Sequence, residues 1–218
     1  MRKAGLFCRL LVYLAPLGLL VLGCSPPPSK TYYTLNYIPS PREDRLKQGA
    51  YPFTIRLRDL EIEEAYARPQ IVYRKSPFEL RYYFYRVWAV KPTRMLTDLV
   101  QKHLVSADLV SAVVRRYDEG FRPDYELSGM IEAIEEYDSE EIWFAHLAIR
   151  FKLTDLDDGK ILYNRRFDHR KRVYENDPEY VIKEMSAILE FILNQLTHDL
   201  DVVLAREYGI STTREVPV

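Results

Sequence analysis

The sequence is poor in cysteine, in glycine and in long apolar runs. It has two cysteines, and Cys8 lies in a segment that the signal described below would remove. A single remaining cysteine forms no internal disulfide, so packing must stabilise the domain. Only 8 of 218 residues are glycine, which disfavours glycine-rich loops that cradle phosphates. The apolar run from Leu10 to Leu22 is shorter than the about 20 residues of a membrane-spanning helix.

The chain also lacks an excess of positive charge. It carries 31 lysines and arginines against 32 acidic residues. Residues 1–23 hold three of the basic groups and no acidic group, so the rest has 28 against 32 and a net charge of −4. A dense basic surface is the usual mark of nucleic-acid binding. We therefore predict no nucleic-acid partner.

No catalytic or metal-binding pattern is recognisable. The four histidines are scattered without the spacing of metal ligands: His103, His146, His169 and His198. The G-x-S-x-G elbow of hydrolases is missing. The acidic stretch before Gly159 fits a turn better than a calcium loop, because the glycine is one position early and the twelfth position holds no glutamate. We predict a protein that is not an enzyme and that uses no metal or cofactor.

The first thirty residues carry the clearest positive signal. Basic residues precede the apolar run, and Val21-Leu22-Gly23-Cys24 follows it. This order predicts a lipoprotein signal peptide over residues 1–23 and lipidation of Cys24, since two or more acyl chains anchor a protein stably. An ordinary signal peptide and an uncleaved anchor helix are the alternatives. Ser25, in place of aspartate, favours the outer membrane.

The remainder divides into a tether, one domain and a tail. The proline-rich residues 24–30 predict an extended spacer. Residues 31–207 have the length of a single domain, and residues 208–218 are expected to be disordered.

Alternating and helical patterns fill this domain. Period-two alternation predicts strands over 31–38, 53–62 with a bulge, 70–74, 79–90 and 109–115, and an antiparallel meander over 125–173 with a turn at 157–160. Pro92 opens a helix that ends near Ser106, and Asp177-Pro178 opens one of about 28 residues.

Two features of the strands leave alternatives open. Residues 79–90 are apolar on both faces, which indicates either a strand buried on both sides, the reading we favour, or one face in an interface. The acidic residues near Glu132, Glu135 and Glu136 and the basic residues of 165–172 are interpreted as solvated faces that support strand pairing.

Three segments resemble a known family. They are YYTL at 32–35, ARPQIVYR at 67–74 and RVWAV at 86–90, followed by a leucine-rich helix. In this order the chain resembles the PqiC-like ABC-type transport auxiliary lipoproteins over roughly residues 30–205. One departure is that Val87 separates Arg86 from Trp88 where the family usually reads Arg-Trp-Ala.

The resemblance implies a single α/β (α+β) domain, similar to the TolB N-terminal domain. Its mainly antiparallel mixed sheet would be packed by two main helices. It also implies a non-catalytic role at the periplasmic face of the outer membrane. There the protein would dock an MCE protein that belongs to an ABC transporter or a permease moving phospholipid or other hydrophobic cargo. A homo-oligomeric ring could continue the conduit.

Contact residues are expected near these motifs. The candidates are Tyr66, Arg68, Gln70, Tyr73, Arg74, Tyr83, Tyr85 and Trp88, with a structural role as the alternative for each. Two other functions remain open. One is a regulatory or structural envelope lipoprotein, such as an activator of a cell-wall synthase, and the other is a monomeric lipid carrier with an internal apolar cavity.

Overall fold

The computed structural model describes residues 28–39, 50–116, 122–138, 142–175 and 177–209. These ranges hold a nine-stranded mixed sheet and two α-helices. The strands are β1 (Thr31–Tyr33), β2 (Tyr51–Leu57), β3 (Glu61–Ile62), β4 (Gln70–Ser76), β5 (Glu79–Trp88), β6 (Val110–Val114), β7 (Tyr125–Asp138), β8 (Trp143–Asp155) and β9 (Ile161–Val173). The helices are α1 (Pro92–Ser106) and α2 (Pro178–Glu207), and a short 3₁₀ turn covers Glu64–Tyr66.

Strand β7 is the centre of the sheet. Along one edge it pairs antiparallel with β8 over nearly its whole length. Along the other edge three short strands follow one another in parallel: β2 beside Tyr125, β3 beside Met130 and β4 beside Glu135. The sheet continues through β5 to β1 on one side, through β9 beyond β8, and through β6 beside β2. The fold class is the mixed α/β single domain that the sequence indicated.

The two helices cover one face of the sheet. Pro92 begins α1, and the Asp177 side chain caps α2 by accepting a 2.9 Å hydrogen bond from the backbone N–H of Glu179. The apolar sides of both helices join the inward residues of β7 and β8 in one continuous core. Alternation in β8 puts Leu147, Ile149 and Phe151 into this core, as period two requires.

Several predicted strands are shorter or divided in the structure. The first covers Thr31–Tyr33, although Leu35 and Tyr37 beyond it are buried as expected. The segment 53–62 forms β2 and β3 with a break between them. Residues 157–160 do form a turn, and Gly159 adopts a φ of 75° there, a conformation that glycine accepts without strain.

Two interpretations of side-chain burial are wrong. The strand 79–90 was expected to be buried on both faces, but Phe84 in β5 is 74% exposed, and Tyr82 and Tyr85 are exposed as well. The second concerns the acidic strand. Glu135 and Glu136 were placed on a solvated face, yet they are only 1% and 4% exposed, because β4 and β5 continue the sheet beside them.

Some predictions fall outside the described residues. These are the signal peptide 1–23, Cys24, most of the tether and the tail beyond residue 209. In the ranges that the structure does describe, no helix combines the length and apolar character needed to cross a membrane.

Candidate docking surface

All eight predicted contact residues lie on the β4–β5 hairpin or on the turn that leads into it. The hairpin is antiparallel, with Tyr73 opposite Arg81 and Gln70 opposite Val87. Between these pairs the register shifts, so that β5 bulges near the point where the sequence departs from the family pattern. Gln70 begins β4 and is half-buried. The remaining candidates separate into a buried polar network, an aromatic stack and a surface groove.

The buried network is centred on Glu135 of β7. Its Oε2 accepts a 2.6 Å hydrogen bond from the Tyr66 hydroxyl, and its Oε1 accepts one of 2.8 Å from Nε of Arg74. Nη2 of Arg74 also donates to the Tyr66 hydroxyl at 3.0 Å. The network thereby ties the 3₁₀ turn to β4 and β7. Tyr66 is buried, so it holds the adjacent chain in place and does not itself present a contact surface.

The charges of this network stabilise one another. Burial alone would raise the pKa of Glu135, but hydrogen bonds from His146, Arg74 and Tyr66 outweigh it and lower that pKa to about 2. The pKa of Arg74 is raised, mainly by its hydrogen bond to Glu135. Burial, together with the Glu135 carboxylate, raises the pKa of Tyr66. At neutral pH the pair is therefore an ionised, hydrogen-bonded salt bridge.

His146 extends the network toward the surface. Its Nδ1 lies 3.0 Å from Oε1 of Glu135, and its Nε2 lies 3.0 Å from Oδ1 of Asp168. Asp168 in turn contacts Arg166 at 2.7 Å. Both ring nitrogens are thus occupied by carboxylates, which leaves neither available as a general base. No group of three or more possible metal ligands occurs among the described residues.

The aromatic stack lies on the other face of the same strands. The rings of Tyr73 and Tyr83 stack with centroids 4.4 Å apart, and the guanidinium of Arg86 lies 4.4 Å from the centre of the Tyr83 ring. The Tyr83 hydroxyl donates a 3.1 Å hydrogen bond to Glu136. Burial raises the pKa of Glu136, although Tyr83 opposes this. The stack therefore anchors β5 to the sheet.

A surface groove of about 480 Å³ lies where β4 begins and β5 ends. Its mainly apolar lining includes Ile62, Ala67, Pro69, Trp88, Val90 and Pro92, and Arg68 and Lys91 add positive charge to it. The backbone N–H of Trp88 donates to the Pro69 carbonyl at 2.7 Å and joins the two sides. Trp88 is buried beneath the groove, whereas Val90 is exposed.

Arg68 links the groove to the exposed aromatic residues of β5. Its guanidinium lies 3.9 Å from the centre of the Tyr82 ring, a cation–π geometry. Its buried Nε has no hydrogen-bond partner within the described part of the chain. Tyr85 packs edge-to-face on Phe84 at 4.8 Å. Of the eight candidates, Tyr85 is exposed, and the half-buried Arg68 lines the groove.

Sequence reasoning missed Glu135 and His146 as network members and Tyr82, Phe84 and Val90 as surface residues. The apolar character of both faces of residues 79–90 was the available signal for the surface residues. For Glu135 no local signal was available, because the same strand also carries Glu126, Glu132 and Glu136.

Comparison with known proteins identifies the family. The model of the ABC-type transport auxiliary lipoprotein component matches residues 33–197. The chain belongs to this family. Its role is accordingly a non-enzymatic one in ABC-type transport, and membership fits a membrane-anchored envelope protein.

Solved structures share the fold. Protein XCC0632 from Xanthomonas campestris is similar to this chain. The two are 19% identical, with a TM-score of 0.71, and the match covers 82% of this chain and 99% of that one. A structure described as an uncharacterized protein has 11% identity and a TM-score of 0.60, with coverage of 79% and 99%. No curated protein matches the chain.

Proposed function

We propose that this auxiliary lipoprotein is the outer-membrane docking partner of an MCE protein in a system that moves phospholipid or other hydrophobic cargo between the membranes. Its lipid anchor at Cys24 would hold the domain on the periplasmic face of the outer membrane. The MCE protein would arrive from an ABC transporter or permease in the inner membrane. In this role the protein binds and positions its partner and carries out no chemical step.

The observation that carries the proposal is the apolar groove between β4 and β5. Val90 exposes apolar surface there, while Arg68 and Lys91 add positive charge to the lining. An apolar centre with a charged rim is the usual anatomy of a protein interface. The buried Trp88 lines the groove, and the Glu135 network fixes Tyr66, which directly precedes the lining residues Ala67 and Arg68. A surface fixed in this way loses little conformational freedom when a partner binds.

Affinity purification of the tagged, lipidated protein from gently solubilised envelopes tests the proposal. We expect an MCE protein and transporter subunits to be recovered with the native chain. Val90→Asp, which puts a charge into the apolar groove, should abolish that recovery, and Arg68→Ala should reduce it. Val105→Asp is the matched control, because Val105 is 58% exposed on α1 against 42% for Val90 on the groove, and it should leave recovery unchanged.

Other outcomes point to the other functions. Recovery of cell-wall synthases without an MCE protein would indicate a regulatory envelope lipoprotein. Lipid bound to the purified single chain would indicate a carrier. The continuous core between sheet and helices gives the carrier hypothesis no support. The mass of the purified complex tests the proposed homo-oligomeric ring.

A further inference from the structure

The direction of β1 determines from which side the tether reaches the domain. β1 pairs parallel with β5, with Thr31 opposite Arg86 and Tyr33 opposite Trp88. The chain before Thr31 must therefore approach from the side of the earlier β5 residues, those nearer Glu79. That side leads to the tip of the β4–β5 hairpin, and away from the groove.

The length of the tether matches the distance to this tip. Seven residues, 24–30, precede Thr31, and the three prolines among them favour polyproline II at about 3.1 Å per residue, or about 22 Å in all. Because β5 bulges, the distance from Arg86 to the tip is better measured along its partner β4, where the six residues 71–76 span about 20 Å at about 3.3 Å per residue. A fully extended tether of this length would reach as far as the hairpin tip.

The hairpin tip presents an apolar side chain. Phe78 is 98% exposed, although its turn is well fixed: Nη1 of Arg74 donates to the Pro77 carbonyl at 3.2 Å. The charges beside it are paired. Arg81 contacts Glu79 at 2.5 Å, and Lys75 contacts Asp138 at 2.7 Å. An exposed aromatic residue on a fixed turn, beside paired charges, suits the headgroup region of a bilayer, where aromatic rings concentrate.

A second exposed aromatic residue lies at the same end of the molecule. β7 ends at Asp138, which pairs with Trp143 at the start of β8, and Trp143 pairs with Val173 at the end of β9. Tyr174 follows directly and is also highly exposed. The guanidinium of Arg172 lies 5.2 Å from the centre of its ring. Phe78 and Tyr174 therefore extend from one end of the sheet.

We propose that this end of the domain, with Phe78 at its tip, inserts into the lipid surface that holds the Cys24 anchor. The contact fixes the orientation of the domain and holds the groove, at the other end of β5, away from the membrane surface. The inference depends on lipidation of Cys24 and is independent of which transport protein binds.

Quenching of tryptophan fluorescence by brominated lipid tests the contact directly. The full lipidated chain carrying Trp143→Phe and Phe78→Trp is reconstituted into phosphatidylcholine vesicles with brominated acyl chains. Emission of the new tryptophan is obtained after subtracting the Trp143→Phe parent, which retains the buried Trp88. We expect brominated lipid to cause a clear loss of this emission relative to unbrominated vesicles.

Ile161→Trp in the same background is the matched control. Ile161 is 54% exposed and begins β9 at the opposite end of the sheet, about 45 Å away by the length of β7. Its emission should not change. Equal quenching at both positions, no quenching at position 78, or failure of the protein to float with the vesicles would each overturn the proposal. Since the vesicles contain no transport protein, these results leave the proposed function to its own test.

Discussion

At the scale of single residues, Glu135 and Glu136 are neighbours with opposite surroundings. Glu135 lies with Arg74 and His146 on one face of β7, and its pKa is lowered to about 2. Glu136 lies on the other face beside Tyr83, and burial raises its pKa. Two adjacent carboxylates, both almost inaccessible to water, should therefore contribute to stability with opposite dependence on pH.

Glu135→Gln should lower the free energy of unfolding at pH 7 by about 2 kcal/mol, because it leaves the partly buried Arg74 without its ionic partner. Glu136→Gln is the matched control and should change it by no more than about 1 kcal/mol, since the amide can still accept the Tyr83 hydrogen bond. Urea unfolding curves measure both. Equal losses of stability in the two variants would contradict the stabilising role of the Glu135–Arg74 salt bridge.

The native protein and Glu135→Gln should also lose different amounts of stability when the pH is lowered. Because the pKa of Glu135 is lower in the folded than in the unfolded state, its contribution is complete above about pH 5 and is lost as the pH falls toward about 2. The native protein should therefore lose more stability over that interval than Glu135→Gln does. Unfolding curves at successive pH values provide the measurement, and parallel losses in both proteins would refute it.

Gly129 is a position in β7 where no side chain fits. A Cβ there would lie 2.7 Å from Cδ2 of Leu60 and 3.0 Å from both the Arg150 carbonyl oxygen and Cδ1 of Phe151. We expect Gly129→Ala to destabilise the domain by about 1–3 kcal/mol through overpacking. A Cβ at Gly159 would meet no atom within 4 Å. Gly159→Ala should therefore destabilise the domain by only about 1 kcal/mol, because alanine disfavours the positive φ at this position. Thermal unfolding compares the two.

The sequence could not predict the Glu135 network because its members come together through non-local pairing. Arg74 and Glu135 meet only when β4 lies parallel to β7. Period two predicts which residues of a regular stretch share one side, but it does not say which strand is the neighbour. Glu135 was therefore assigned to the solvent among the other charges of its strand.

At the scale of elements, local signals were sufficient where they were strong. The alternation of β8, the turn before β9 and the proline-led starts of both helices are all confirmed. The interpretation failed for β5, whose aromatic residues suggested burial on both faces. An edge position explains the difference, since only the three residues of β1 cover the outer side of β5, which leaves Phe84 in solvent.

The cap of α2 gives a prediction at this scale. Oδ1 of Asp177 accepts the backbone hydrogen bond of Glu179. Asp177→Ala should therefore lower the free energy of unfolding by about 1 kcal/mol, whereas Asp177→Asn, which retains an acceptor, should stay close to the native value. Chemical denaturation distinguishes them. If asparagine were as damaging as alanine, the cap would not be the cause.

At the scale of the whole molecule, the predicted anchor can be separated from the fold. Cys24 precedes the described domain, so Cys24→Ala should leave the unfolding curve unchanged. The variant should be missing from the outer-membrane fraction of a density gradient, in which the native protein sediments. A variant that still sedimented with outer membranes would show that this attachment does not depend on that cysteine.

The position of β7 in the sequence has a consequence for biogenesis. β2, β3 and much of β4 depend on a strand that begins only at Tyr125. A chain that crosses the inner membrane from its N-terminus therefore exposes these strands before their partner arrives, and their edges are open to wrong pairing. The domain can close only when β7 has emerged, so a holding chaperone should matter most during that interval.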